Sequence, residues 1–321
     1  MKKLTYLVYL FLIINSCSKN SPSEPFIPPD PVDDVPDPVN TITDEELMDL
    51  TQESTFKYFW DFAQTNSKAA RERYHPTNPS LDQNIVTTGG SGFGLMAILV
   101  GIERGYVTRG EAVARLKTIL TFFETANRFH GAWPHWINGT NGSVIPFSPQ
   151  DNGGDLVETA FFTQGLICVK EYFKNGSTEE IALSDKADAL WKGVEWNWYT
   201  QGQNALYWHW SPNYGFAINL KLQGYNETLI TYILAAASPN FPITLAAYTQ
   251  GWANNGGIIS ANTQYNIPLI LKHSGSEQFG GPLFFAHYSY LGLKPLGLSD
   301  QYANYWDVNV NHTNINYQYC V

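Results

Sequence analysis

The feature that most constrains this chain is a predicted helix, residues 155–173, that is apolar on nearly all of its sides. Phenylalanine, leucine, isoleucine and valine follow one another around it, and no charged residue occurs between Glu158 and Lys170. A helix that is apolar all round lies in the interior of a protein. The segment therefore predicts a core helix that begins near Asp155.

Three carboxylates stand at the entrance of this helix: Asp151, Asp155 and Glu158. Asp155 and Glu158 are three positions apart, so they share one face of the first turn. Capping at the positive end of the helix dipole explains one acid of this kind. Because three carboxylates are costly to desolvate beside a buried helix, we interpret the cluster as a candidate site rather than as capping alone.

Apolar and amphipathic helices alternate along the chain. Three predicted helices are apolar throughout: 92–104, 155–173 and 228–237. Three others open with capping-box sequences and carry charges: 44–65, 109–128 and 178–199. The remaining predicted elements are two helices and a hairpin, at 244–252, 299–314 and 205–217. Inner helices that alternate with outer helices predict an all-α fold, an α/α toroid with two concentric rings.

The first 40 residues differ from the rest in composition. Residues 1–17 combine a short basic start, an apolar run and a cysteine, which predicts a signal peptide too short to span a bilayer. The sequence Ile-Asn-Ser-Cys at 14–17 is similar to a bacterial lipobox, so we expect Cys17 to be lipidated; ordinary signal cleavage is the alternative. Residues 18–40 contain seven prolines and predict a stiff linker. We therefore expect a lipid-anchored protein of the bacterial cell envelope, periplasmic or outer-membrane.

Composition and missing motifs exclude several functional classes. The net charge of −10 disfavours nucleic-acid binding, and it leaves the lipid anchor as the expected membrane contact. After Cys17 only Cys168 and Cys320 remain, and Cys168 lies in the predicted core helix, so a disulfide framework is not indicated. Zinc-binding, nucleophile-elbow, P-loop and dinucleotide signatures are all missing from the sequence. We therefore expect neither a metal nor a cofactor.

Long loops that precede the apolar helices are rich in aromatic and amide residues: 67–91, 129–154 and 200–227. Glu227, like Asp155, stands where an apolar helix begins. Aromatic rings can cover the apolar faces of sugars while polar groups bind the hydroxyls, although aromatic residues also fill protein cores. Two carboxylates beside such a cleft are the groups that glycoside hydrolysis requires, one as proton donor and one to activate water or attack.

Four segments resemble the bacterial glucoamylase-like family that includes endo-β-1,2-glucanases, glycoside hydrolase family 144. They occur in order along the chain, at 86–94 (VTTGGSGFG), 150–158 (QDNGGDLVE), 208–227 (WHWSPNYG to GYNE) and 282–293 (PLFFAHYSYLGL). The resemblance implies an (α/α)6 barrel and inverting hydrolysis of linear β-1,2-glucan without a cofactor. It also implies that Glu227 is the general acid and that the site contains Asp151, Asp155 and Glu158.

Seven further side chains are predicted to bind the saccharide around these acids: Arg71, Arg73, Trp133, Trp208, Tyr214, Trp252 and His287. The aromatic residues would present their rings to the groove, while the arginines and His287 would donate to hydroxyl groups at its rim. The expected partner is an oligo- or polysaccharide, and the protein is expected to be a monomer.

Members of the family continue beyond the position at which this sequence stops, so we expect a truncated catalytic domain at 41–321. The resemblance implies that the continuation supplies the last helices and the aspartate that activates water. We therefore expect this chain by itself to be poorly stable and inactive, with apolar surface exposed on the first helix and around Tyr305 and Trp306. Two alternatives stay open: a hydrolase with another linkage preference, such as a β-glucosidase, and a non-catalytic glycan-binding lipoprotein.

Overall fold

Eight α-helices define the part of the chain that the computed structural model describes, residues 42–274 and 278–321. The predicted signal peptide, Cys17 and the linker 18–40 lie outside these residues. The helices are α1 (Asp44–Trp60), α2 (Thr88–Glu103), α3 (Arg109–Thr125), α4 (Leu156–Phe173), α5 (Thr178–Lys192), α6 (Leu229–Ala237), α7 (Phe284–His287) and α8 (Tyr305–Cys320).

The apolar helices α2, α4 and α6 form the inner layer of the fold. Helix α4 packs against both α2 and α6. The amphipathic helix α1 contacts α2, α3 contacts α2 and α5, and α5 contacts α4. Contact between α2 and α4 is close because both carry glycine there. A Cβ atom on Gly92 would lie 2.2 Å from the carbonyl oxygen of Phe161, and one on Gly165 would lie 2.4 Å from the carbonyl oxygen of Gly92.

Several predicted helix limits differ from those in the structure. Helices α1, α3 and α5 end at Trp60, Thr125 and Lys192, earlier than predicted. The predicted helix 244–252 is a π-helical segment, Ala247–Trp252. The predicted helix 299–314 begins at Tyr305, because the side chain of Asp300 accepts backbone N–H groups in a turn and Asn304 caps the helix. Both capping boxes at α3 and α5 are present.

Short antiparallel strands connect the loops at the start of the inner helices. They are β1 (Ile85–Thr87), β2 (Trp136–Asn138), β3 (Val144–Ile145), β4 (Gly154–Asp155), β5 (His209–Trp210), β6 (Thr263–Gln264) and β7 (Ile267–Pro268). The predicted hairpin at 205–217 is present only as a tight turn, in which Ser211 and Gly215 exchange both backbone hydrogen bonds. Strand β5 itself pairs with β4, which was not predicted. This pairing sets Asp155 opposite His209, so the loop before α6 is attached to the N-terminus of α4.

Apolar exposure on the first and last helices matches the expectation only in part. Leu47, Met48 and Leu50 of α1 and Trp306 of α8 are exposed. Tyr305 is instead buried, because its hydroxyl group bonds to Tyr248 and Asp300. No helix in the described ranges has both the length and the apolarity to cross a bilayer.

Candidate active site

The acids Asp151, Asp155, Glu158 and Glu227 interact at the end of the molecule where α4 and α6 begin. His209 connects the first two, since its Nε2 atom lies 3.0 Å from Asp151 Oδ2 and 3.6 Å from Asp155 Oδ2. Burial raises the pKa of Glu227, and the charges of Glu158 and Asp155 raise it further. The four predicted acids therefore form one electrostatic cluster.

Asp155 has both a structural and an electrostatic function. Its Oδ1 atom caps α4 by accepting the N–H groups of Val157 and Glu158, at 3.0 and 2.9 Å. Its Oδ2 atom accepts the Nδ1–H of His135 at 2.9 Å. Burial alone would raise the pKa of this carboxyl group, but the hydrogen bonds from His135 and His209 hold it below its usual value. Capping and a role in the site thus coexist in one residue.

Two histidines in this cluster were not predicted as site residues. Burial alone would lower their pKa values, but the bond to Asp155 raises the pKa of His135 to about 9, and the bonds to Asp151 and Asp155 raise that of His209 to about 10. Both side chains are therefore imidazolium ions at neutral pH. The sequence signal that could have identified them is the position of each histidine between tryptophans in a long loop.

Glu158 is held against the N-terminus of α2. Its Oε2 atom accepts the backbone N–H of Gly89 at 2.7 Å and the hydroxyl group of Thr87 at 3.1 Å. Burial raises the pKa of Glu158, while the charge of His135 opposes this shift. The glycine-rich start of α2 thus orients a site acid as well as packing against α4.

Glu227 differs from the other acids because its Oε2 atom is buried without a hydrogen-bond partner among the described residues. Its backbone is nonetheless fixed. The hydroxyl group of Ser289 donates to the carbonyl oxygen of Glu227 at 3.0 Å and accepts the N–H of Ile230 at 3.1 Å. A carboxyl group with a raised pKa and an unpartnered Oε2 atom can carry a proton, which is the requirement for a general acid.

The four aromatic residues predicted to bind the saccharide differ in their burial. Trp208 is partly exposed beside His209, and the side chain of Tyr214 is 52% exposed. The prediction is wrong for Trp133 and Trp252, which are fully buried. Their burial has a physical reason, since both lie in the aromatic core, where Trp133 packs on Phe123 and Phe162, and Trp252 on Tyr225, Tyr248 and Tyr305.

The predicted cationic and histidine donors also lie elsewhere. Arg71 is buried and donates to the carbonyl oxygens of Pro79 and Leu81, so it stabilises the loop before β1. Arg73 pairs with Glu72, and His287 lies 3.3 Å from the hydroxyl group of Thr313 on α8. None of the three forms a hydrogen bond or ion pair with the four acids in the described part of the chain, so the prediction that they serve this cluster is not supported.

Three of the cluster residues are also close enough to share a cation. Ligand atoms of His135, Asp151 and Asp155 lie within 4.8 Å of one another. The hydrogen bond between His135 and Asp155 and the ion pair between His209 and Asp151 already satisfy these atoms. The arrangement is therefore explained by two histidine–aspartate pairs.

Comparison with known proteins identifies the family of the chain. It is 53% identical to an endo-β-1,2-glucanase from Chitinophaga pinensis, solved with sophorotriose and glucose, with a TM-score of 0.86 over 88% of this chain and 68% of that chain. The chain belongs to the glucoamylase-like family. A β-1,2-glucanase structure from Parabacteroides distasonis is 43% identical, with a TM-score of 0.81 over 88% of this chain and 42% of that chain. The predicted all-α fold class, an α/α toroid, is thereby confirmed.

Two sequence comparisons agree with this membership. The sequence model of the family described as Glycoamylase matches residues 219–321. An exo-β-1,2-glucooligosaccharide sophorohydrolase (non-reducing end) from Parabacteroides distasonis is 44% identical over an alignment 300 residues long, and the match covers 87% of this chain. The chain spans 40% of the length of that curated relative.

Proposed function

We propose that the protein is a glycoside hydrolase that cleaves β-1,2-linked glucans, with Glu227 as the general acid. The observation that carries the proposal is the environment of Glu227. Its carboxyl group has a raised pKa, its Oε2 atom is buried without a hydrogen-bond partner among the described residues, and the charges of Glu158 and Asp155 act on it. The relatives named for β-1,2-glucan chemistry support the choice of substrate.

In the proposed reaction, protonated Glu227 donates its proton to the glycosidic oxygen as the bond to the anomeric carbon breaks. A water molecule attacks that carbon from the opposite face, which gives inversion and requires a base about 6.5–9.5 Å from the acid. Asp151 and Asp155 are already engaged by imidazolium side chains, and Glu158 by Gly89 and Thr87. No described residue is assigned as the base, and the prediction of a base outside this chain stays a prediction.

We propose that the whole protein cleaves the glucan in the endo mode, as the name of the Chitinophaga relative states for that enzyme. Digestion of linear β-1,2-glucan distinguishes this mode from the exo mode named for the sophorohydrolase. Endo cleavage produces oligosaccharides of several lengths from the earliest times, whereas exo cleavage releases sophorose alone. Chromatography of the products during the first few per cent of conversion therefore tests the mode of action.

The alternative of a glycan-binding protein makes a different prediction for one substitution. Glu227→Gln keeps the size of the side chain but removes the transferable proton. A hydrolase then loses turnover while it still binds sophorotriose, whereas a pure binding protein has no turnover to lose. Parallel assays of binding and product release on both proteins therefore distinguish the two functions.

We also propose that lipidation of Cys17 attaches the protein to the cell envelope. Support comes from the signal-like residues 1–17 and the following proline-rich linker. Cys17→Ser should move the protein from the membrane fraction to the soluble fraction of bacterial lysates. Retention of the variant in the membrane fraction would contradict lipid anchoring.

A further inference from the structure

His135 is the cluster histidine whose second ring nitrogen remains available. Asp155 fixes Nδ1 by accepting its proton at 2.9 Å, whereas Nε2 has no hydrogen-bond partner among the described residues. The side chain is 23% exposed although Asp155 is fully buried. Because Nδ1 faces the buried carboxylate, Nε2 lies on the opposite edge of this partly exposed ring.

Two aromatic side chains contact the ring of His135. The imidazole ring stacks on Phe147, with ring centroids 4.2 Å apart and planes at 28°, and Trp136 meets both rings edge-on. Phe147 is itself 49% exposed. Directed N–H groups beside exposed aromatic surface suit a sugar, which has hydroxyl oxygens as acceptors and apolar ring faces.

We propose that His135 is a substrate-binding residue whose Nε2–H donates a hydrogen bond to a hydroxyl oxygen of the β-1,2-glucan, with Asp155 as the group that orients it. This inference rests on the proposed function and adds a contact residue to it. The positive charge of the ring strengthens the bond, because hydrogen bonds from ionised donors are stronger than neutral ones. His209 has a different task, since it lies between two aspartates and balances their charge.

The replacement His135→Asn distinguishes the functions of the two ring nitrogens. An asparagine amide can occupy the position of Nδ1 and preserve the hydrogen bond to Asp155, but it has no counterpart to Nε2. The variant therefore removes the outward donor and preserves the inward one. Placing it in a Glu227→Gln background prevents hydrolysis of the ligand during the measurement.

His130 provides a matched control. Its Nδ1 atom lies 3.0 Å from Glu195 Oε2 and its side chain is 28% exposed, close to the values for His135. It stacks on Trp198 rather than on Phe147, and within the described ranges it forms no hydrogen bond or ion pair with the four acids. Its backbone has a positive φ of 50°, which asparagine tolerates well, so His130→Asn should fold normally.

The test is calorimetric titration of sophorotriose into the whole protein carrying Glu227→Gln, with and without each histidine substitution. We expect His135→Asn to weaken binding about tenfold or more, the effect of losing a hydrogen bond from a charged donor, and His130→Asn to change it less than twofold. Equal affinities for the His135→Asn variant and its parent would overturn the inference while leaving the proposed function intact. Absence of sophorotriose binding in the parent would contradict both.

A second measurement keeps the test decisive if His135→Asn fails to fold. In the Glu227→Gln protein, the 15N resonance of His135 Nε2 should shift when sophorotriose is added, while that of His130 should not. An unchanged His135 resonance at saturating ligand would overturn the proposed contact without any substitution at that position.

Discussion

The backbone N–H of Gly89 donates a 2.7 Å hydrogen bond to the carboxylate of Glu158, which lies 69 positions later in the chain. This bond connects the first turn of α2 to the first turn of α4. The bond holds Glu158, an acid of the candidate site, between α2 and α4, which also pack against each other in the inner layer. Core packing and site geometry are thus coupled at this point.

Gly89→Ala should disturb the fold and the site together. A Cβ atom there would lie 2.7 Å from Glu158 Oε2 and 2.9 Å from the ring of Phe161. Overpacking of this kind costs about 1–3 kcal/mol, and we expect that loss in the free energy of unfolding measured with urea. Gly110→Ala is the matched control, because a Cβ there meets nothing within 4 Å. Equal stability of the two variants would contradict the packing account.

Stability should fall at alkaline pH because of the histidine–aspartate pairs. The folded-state pKa values of His135 and His209, about 9 and about 10, lie above the ordinary value of 6.5. Their contribution is therefore complete below about pH 6.5 and is lost as the pH rises through 9 and 10. We expect a decrease of a few kcal/mol in the free energy of unfolding between pH 7 and pH 10.

Asp155→Asn provides the internal check on this pH dependence. Removal of the carboxylate should move the pKa of His135 down towards its ordinary value, which NMR titration of the ring can measure. Because the pKa of His135 would then lie closer to its value in the unfolded chain, the variant should lose less stability at alkaline pH than the wild type. An unchanged pKa of His135 in the variant would show that another group sets it.

Substitutions of two predicted saccharide-binding aromatic residues should have opposite effects on stability and on binding. Trp133 is fully buried and Tyr214 is 52% exposed. We expect Trp133→Ala to cost about 3–5 kcal/mol of stability as a core cavity. Tyr214→Ala should stay within about 0.5 kcal/mol of the wild type and weaken sophorotriose binding. Thermal unfolding and calorimetry on both variants would show whether this division is correct.

The sequence predicted the helices and the acids better than the side chains around them. A run of apolar residues that opens with acids determines both the burial of α4 and the location of Asp155 and Glu158, so those predictions required no tertiary information. Trp133 and Trp208 have similar neighbours in sequence, yet one is in the core and the other beside His209. Their difference arises from the β4–β5 pairing and from packing on Phe123, which sequence spacing does not encode.

The histidines illustrate the same limit. His130 and His135 lie five positions apart in one loop, and each bonds an acid through Nδ1. Only the partner differs, Glu195 for one and Asp155 for the other, and that difference depends on which distant segments meet the loop. Chain order alone could not assign one of them to the site.

The central claim is that Glu227 donates the proton when a β-1,2-glucan is cleaved. It is tested most directly by the rate at which the whole protein and its Glu227→Gln variant release reducing ends from linear β-1,2-glucan. General acid catalysis contributes about 10²–10⁴-fold to such rates, so we predict at least a hundredfold loss in the variant, with sophorotriose affinity and the free energy of unfolding unchanged. A variant that hydrolyses the glucan at a rate comparable to the wild type would contradict the account.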